Sequence, residues 1–280
     1  MSTQQGKCHA DNVQPSLIDL IQLSESLGSM ESSLNVDRKA LLLSRHPSSV
    51  TGYLDMPAII LGKGDTIALW YLPGGLAWPM QEHVLGTIYP LEHSLKQSIS
   101  DFFTQDDHRL SGCLEFSPAR HELGHATWED DPAISSALAT DAGRQILSGT
   151  LSIMHPLLYD AGLEAMKALR QWSAVADHAM SDALFQWPIV YTNVSVIANH
   201  SASLHHDPHS CTDWYDLLVS LGEYTDLAFS GRLLWHGDNA ISGNRYSLAY
   251  YMRDNVHNWL NVPRGNWMRV HTVQNALMSM

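Results

Sequence analysis

The sequence predicts an α+β fold with its helices early and its strands late, on three observations. Residues 132–180 keep a helical texture, with apolar positions recurring about every 3.6 residues. After residue 186 the texture changes to alternating runs rich in aromatic and β-branched residues: "WPIVYTNVSVIAN", "DWYDLLVSLGEY", "LAFSGRLLWHG" and "RYSLAYYMRDNV". Ahead of both, "AIILGKGDTIALWYLP" sets two β-rich runs around a Gly-Lys-Gly-Asp turn, a hairpin pattern. Helices and strands segregated in this way make an α+β domain.

Taken in order, residues 1–50 are rich in Ser, Gln and Asn and read as a partly disordered polar leader, with one short helix at "SLIDLIQLSESL". Residues 51–280 read as one domain, a helical and hairpin lead-in over 51–185 followed by strands over 186–270. "PMQEHVLGTIYPLEHSLKQSISDFF" predicts a helix broken at Pro90, because proline removes a donor and clashes with the preceding turn. Ile146, Leu147, Leu151 and Met154 share a helix face before Pro156. Asp160 is placed to cap the next helix, which would bury Leu163, Met166 and Leu169.

Composition narrows the function classes. At 280 residues, 45% hydrophobic and 16% charged, the chain is globular and long enough for a sizeable core. No run approaches the roughly 18 apolar residues of a membrane span. The first residues, "MSTQQGKCHADNVQPS", lack the apolar centre of a signal peptide, so an intracellular protein is expected. Cys8, Cys113 and Cys211 are too few and too scattered for a disulfide framework or a zinc cluster. A net charge of −13 argues against a generally sticky nucleic-acid binder. The charge is uneven, however: from residue 190 onward five Arg face seven acidic residues, a balance of −2 against −11 for the rest. A nucleic-acid substrate remains compatible with that C-terminal part.

Two strings compete for a metal. "HELGH" on a helix would put His121 and His125 one turn apart to bind zinc, with Glu122 as general base of a peptidase. Its surroundings are poor: Arg120 precedes it, Gly124 sits inside it and "EDDP" follows within four residues. In "SLHHDPHS", a strand would point His205 and Asp207 to one side and His206 to the other. With a second histidine from another strand, such a pair makes a 2-His-1-carboxylate site that leaves open positions on Fe(II). His-x-Asp alone proves little, since "HAD" and "HGD" also occur here. His236, ending the strand-like "GRLLWHG", is the candidate third ligand. Nine residues later Arg245 opens the next strand, and a guanidinium grips a carboxylate with a two-pronged fork. Alternation puts Ser247, Ala249, Tyr251 and Arg253 on the face of Arg245, so Tyr251 and Arg253 are candidate substrate contacts. Core packing for Tyr251 and a surface ion pair for Arg253 are the alternatives.

"NHSASLHHDPHSCTDWYDLLVSLGEY" and "GRLLWHG…NRYSLAYYMRDNVH" closely resemble the oxygenase domains of the TET and J-binding-protein type, in the group found in mushroom-forming fungi alongside transposons. The resemblance runs upstream through "IALWYLPGGL" and "EFSPARHELGHATWEDDPAISSAL" and covers about 55–270. It implies a double-stranded β-helix (jellyroll), Fe(II) and 2-oxoglutarate as cofactors, and oxidation of a methyl group on a nucleic-acid base. Methylated DNA, chiefly 5-methylcytosine, is the implied partner, with RNA as the alternative and no membrane; nuclear localisation follows only from that substrate. Carried over by position, His205, Asp207 and His236 match the iron ligands, Arg245 the residue on the far carboxylate of 2-oxoglutarate, and Asn199 an asparagine just ahead of the ligand loop. "HELGH" has no metal role in that family. One departure stands out. Only "YTDLAFSGRLLW" separates Glu223 from His236, shorter than in relatives by a pair of strands, a loss expected to expose sheet edges. A catalytically inactive TET-like homologue acting as a binding module is the rival expectation, and a zinc metallopeptidase the third.

Overall fold

The structure is a computed structural model that describes residues 44, 56–97, 111–119, 141–187, 189–199, 213–221, 226–229, 244–263 and 265–278. The expected hairpin is β1 (Ala58–Leu61) and β2 (Ile67–Leu72), antiparallel and in register from Ala58↔Tyr71. Its turn passes through Gly64 at φ 68, a left-handed conformation that glycine adopts at no steric cost. Helix α1 (Trp78–Ile88), a 3-10 turn at Tyr89–Leu91 and α2 (Glu92–Gln97) follow, so Pro90 falls in the break, as its chemistry requires. Strand β3 (Gly112–Phe116), which carries no periodic pattern of its own, comes next.

Three helices then run in sequence: α3 (Asp141–Met154), α4 (Pro156–Ala176) and α5 (His178–Phe185). The cap of α4 corrects the expectation for Asp160, which lies inside the helix. His155 is the N-cap, its Nδ1 accepting from Leu158 N at 3.2 Å, and Pro156 takes the first helical position, where its missing N–H costs nothing. Asp177 caps α5 by accepting from Met180 N at 3.0 Å. Met166 and Leu169 are buried as expected, whereas Leu163 is only partly so.

The remaining strands are β4 (Asn193–Ala198), β5 (Asp216–Leu221), β6 (Asp226–Phe229) and β7 (Tyr246–Tyr251), followed by α6 (Asp254–Leu260) and α7 (Val270–Met278). Together the described strands form one seven-stranded sheet in the order β1-β2-β6-β5-β7-β4-β3, every neighbouring pair antiparallel. The architecture is therefore α+β, with lead-in strands flanking the late ones. Of the stretch ahead of His236 the described residues are those of β6, which pairs with β5 on one side and with β2 on the other. Leu158, Met166 and Leu169 of α4 join Met180 and Leu184 of α5 in one apolar cluster with Val194, Val196, Val219 and Leu248 of the sheet. Each such side chain contributes roughly 1.5–3 kcal/mol on burial. No described helix is long and apolar enough to cross a membrane.

Candidate active-site face

Strand pairing sorts the central side chains into two unlike faces, because directly opposed residues point the same way. On one face Leu248 lies between Val196 and Val219, and Tyr250 between Val194 and Leu217. All of these are buried, and the Tyr250 ring meets Tyr191 at 5.8 Å on the helical side. On the other face the rows read Ser195–Ala249–Leu218 and Ile197–Ser247–Ser220. Ser195, Ser220 and Ser247 of these rows are buried, whereas Ile197, Leu218 and Ala249 are only partly so although they sit in interior strands. The sheet is thus apolar and buried on its helical side, and more polar and less evenly buried on the opposite side.

Arg245 stands at one end of this second face, and Asn199 fixes its backbone. Asn199 N donates to Arg245 O at 2.8 Å, and Asn199 Oδ1 accepts from Arg245 N at 2.7 Å. Asn199 sits at φ 49, a left-handed conformation that asparagine tolerates better than most residues. Its carboxamide takes the place of the carbonyl that would extend the ladder, carrying the pairing one residue past the strand end. Asn199 Nδ2 also donates to Asn244 Oδ1 at 3.4 Å.

At the other end Tyr251 and Arg253 meet Glu115 of β3. Tyr251 OH lies 2.6 Å from Ser195 Oγ and donates to Glu115 Oε1 at 3.0 Å. Arg253 Nη2 pairs with Glu115 Oε2 at 3.0 Å and reaches Tyr251 OH at 3.3 Å. The guanidinium lies over the Tyr251 ring, 4.4 Å from its centroid, in cation–π contact. Burial, then the Glu115 carboxylate, holds the Tyr251 phenol well above its ordinary range, so it stays protonated and serves as a donor. Arg253 N donates to Thr192 Oγ1 at 2.8 Å, tying the end of β7 to the start of β4. Burial, with Glu115 adding to it, pushes the neighbouring Cys113 thiol up to about 12, which makes it a poor nucleophile.

The handedness of the face follows from the ladder. The Asn199–Arg245 bond means that Arg245, and by alternation Ser247, Ala249 and Tyr251, turn their N–H and C=O groups toward β4. For L-residues seen with side chains toward the observer and the strand running up, those groups point right. From the Arg245 face the order, left to right, is therefore β6, β5, β7, β4, with β6 and β7 running up.

Of the residues picked from sequence, the structure puts Arg245, Tyr251 and Arg253 on one face, as alternation predicts, and Asn199 beside the first. Arg253 does make an ion pair, but not the surface pair expected: its side chain is only 9% exposed. His205, Asp207 and His236 lie outside the described residues, as do His121, Glu122 and His125. Among the described residues no cluster of three His, Cys, Asp or Glu could hold a metal. Glu115, Ser195 and Thr192 escaped the sequence reading, because contacts spanning 138, 56 and 61 positions leave no periodic trace.

No family model matches the chain, and no curated protein does. Among solved structures it is similar to NgTET1 in complex with 5mC DNA, at 11% identity and a TM-score of 0.49, over 82% of this chain and 89% of that one.

Proposed function

We propose that this chain is an Fe(II)/2-oxoglutarate-dependent dioxygenase of the TET-like kind, built on a double-stranded β-helix. Its substrate would be a methylated base in DNA, 5-methylcytosine first, and its place of work the nucleus. His205, Asp207 and His236 would hold the iron and Arg245 the far carboxylate of the keto acid.

The route of the chain supports this reading. It leaves β4 at Ala198 and rejoins the sheet at Asp216 in β5, which runs the same way as β4 with β7 between them. It leaves β6 at Phe229 and rejoins at Tyr246 in β7, which runs the same way as β6 with β5 between them. Each link joins parallel strands of one sheet, and such crossovers are right-handed in about 98% of cases. By that rule, given the strand order seen from the Arg245 face, we propose that 199–215 and 230–245 bring their residues to that face. His205 and Asp207 fall midway along 199–215, and His236 midway along 230–245. Arg245, its backbone held by Asn199 at one end of the face that also carries Tyr251 and Arg253, is the observation that carries the proposal.

The residue types fit the group they would hold. Two imidazoles and a carboxylate suit Fe(II) and leave positions open, and the bound metal with its keto acid supplies the oxidising power. The chain's own residues bind and orient. Arg245 offers its fork to a carboxylate, its backbone held in place by Asn199. Ser247 and Ala249 are small enough to leave room for the keto acid beside it. Tyr251, about 20 Å further along an extended strand, and Arg253 beyond it would receive the base. A base in duplex DNA must be flipped out of its stack to get there.

The test is succinate formation from 2-oxoglutarate by iron-loaded protein, with methylated and unmethylated oligonucleotides, read alongside base oxidation by mass spectrometry. Methyl-dependent succinate that disappears in His205→Ala, Asp207→Ala and His236→Ala is the expected result. Selective binding of methylated DNA without succinate would favour the inactive binding module instead, and neither turnover nor binding would end the TET-like reading.

A further inference from the structure

Among the described residues Glu115 is a charged residue of this face contributed from outside the late strands, and it engages both Tyr251 and Arg253 at once. Its two carboxylate oxygens take separate partners, the Tyr251 phenol on Oε1 and Arg253 Nη2 on Oε2, each at 3.0 Å. Two donors held by one carboxylate cannot rotate independently. The Arg253 guanidinium is laid flat on the Tyr251 ring and is itself almost wholly buried, with its side chain 9% exposed against 35% for Glu115. Among the described residues its buried Nε has no hydrogen-bond partner, and a buried N–H left unpaired is costly.

From this geometry we propose, resting on the oxygenase reading above, that Glu115 is a positioning residue that converts Arg253 from a charged phosphate contact into a fixed hydrogen-bond donor for a base edge. An unpaired arginine at the mouth of a nucleic-acid site is drawn to phosphate, the most abundant anion there, and adds salt-dependent affinity with no base preference. Paired with Glu115, Arg253 carries no net local charge. What it still offers is direction: a planar guanidinium stacked on an aromatic ring and held there by a carboxylate. A base meets that offer, since every base has a π-face for stacking and acceptor atoms on its edge. A phosphate meets it poorly, because the neighbouring carboxylate repels it.

The proposal predicts a change in how DNA is bound, separable from whether the enzyme turns over. Glu115→Gln keeps the size and the acceptor oxygen but removes the charge. Binding of the variant to an oligonucleotide carrying one 5-methylcytosine, measured by fluorescence anisotropy at several salt concentrations, should show a steeper salt dependence. One released arginine amounts to about one additional phosphate contact in the slope. The preference for methylated over unmethylated strands should fall several-fold, while the KM for 2-oxoglutarate stays put. Arg253→Lys is the companion variant: a lysine keeps the charge pair but cannot supply the planar stack, so the salt slope should stay and the preference should fall. An unchanged slope and preference in Glu115→Gln, with wild-type protein still selecting methylated DNA, overturns the positioning role alone. Wild-type protein that shows neither selection nor succinate formation overturns the oxygenase reading and the positioning role with it.

Discussion

His155 should make the fold acid-sensitive, by an amount that can be worked out. It is fully buried, caps α4 through Nδ1, and stands edge-on to the Tyr215 ring at 5.3 Å. A protonated ring could not accept from Leu158 N and would place a charge among apolar neighbours. Burial accordingly lowers its pKa from 6.5 to about 4. In the unfolded chain the ring gains its proton near pH 6.5, while in the fold it stays neutral down to about pH 4. Between those values the unfolded state binds more protons, so stability is fully present above pH 6.5 and drains away as the pH falls. At 1.36 kcal/mol per pH unit the loss reaches about 3 kcal/mol by pH 4. Other groups titrate in the same window, so the measurement should be differential. His155→Asn keeps a capping side chain and removes the titration. Urea unfolding of both proteins at half-unit steps from pH 7 to pH 4.5 should show the variant's deficit shrinking as the pH drops. A deficit that stays constant across that range would mean that His155 is protonated in the fold and that the burial argument is wrong.

Other variants test the scaffold around the face. Gly162 of α4 lies against the end of β7: a Cβ there would sit 2.5 Å from Met252 Cε and 2.7 Å from Val190 O. Alanine normally gains about 1 kcal/mol over glycine inside a helix, but overpacking costs about 1–3 kcal/mol and a backbone oxygen cannot swing aside. Gly162→Ala should therefore lower the midpoint of thermal unfolding, followed by circular dichroism. Asn199→Ala removes the acceptor for Arg245 N and should raise the KM for 2-oxoglutarate several-fold with little change in kcat. Asn199→Gly, which keeps the left-handed backbone accessible, should show the same rise in KM if the carboxamide is what matters. Arg245→Lys should weaken the keto acid in the same assay, by about tenfold or more, because a point charge replaces a fork.

Much of the scaffold was legible in the sequence because its signals are local. The Gly-Lys-Gly-Asp turn announced the first hairpin, Pro90 marked a helix break, and alternation in "RYSLAYY" placed Arg245 and Tyr251 on a common face. What escaped was non-local. Strand β3 reads "GCLEF", too short and too mixed to show a period, and it is stabilised by pairing with β4 rather than by its own pattern. Glu115 travels with it, so the partner of Arg253 could not be named from either segment. The α4 cap was misread for a different reason. Histidine is not a favoured capping residue, and His155 serves because its buried, neutral ring presents Nδ1 as an acceptor, a property set by the tertiary environment.

The proposal that this face is held open for a ligand can be tested through the sign of a stability change. Ala249 lies at its centre, between Ser195 and Leu218, and is partly exposed in an interior strand. If this face were an ordinary packed core, the two methyl groups added by Ala249→Val would have no space and would destabilise by about 1–3 kcal/mol. If the face is a cavity kept open for a ligand, those groups enter free volume. They would then gain up to about 1.5 kcal/mol from burial, helped by valine's preference for strands. The same methyl groups would occupy room needed beside Arg245, so keto-acid-dependent turnover should fall. The expected outcome is a more stable protein with less activity, the usual signature of a binding site held open against packing. Destabilisation with activity intact would show that the small side chains merely fit a crowded sheet, and the case for a site at this face would fail on packing alone.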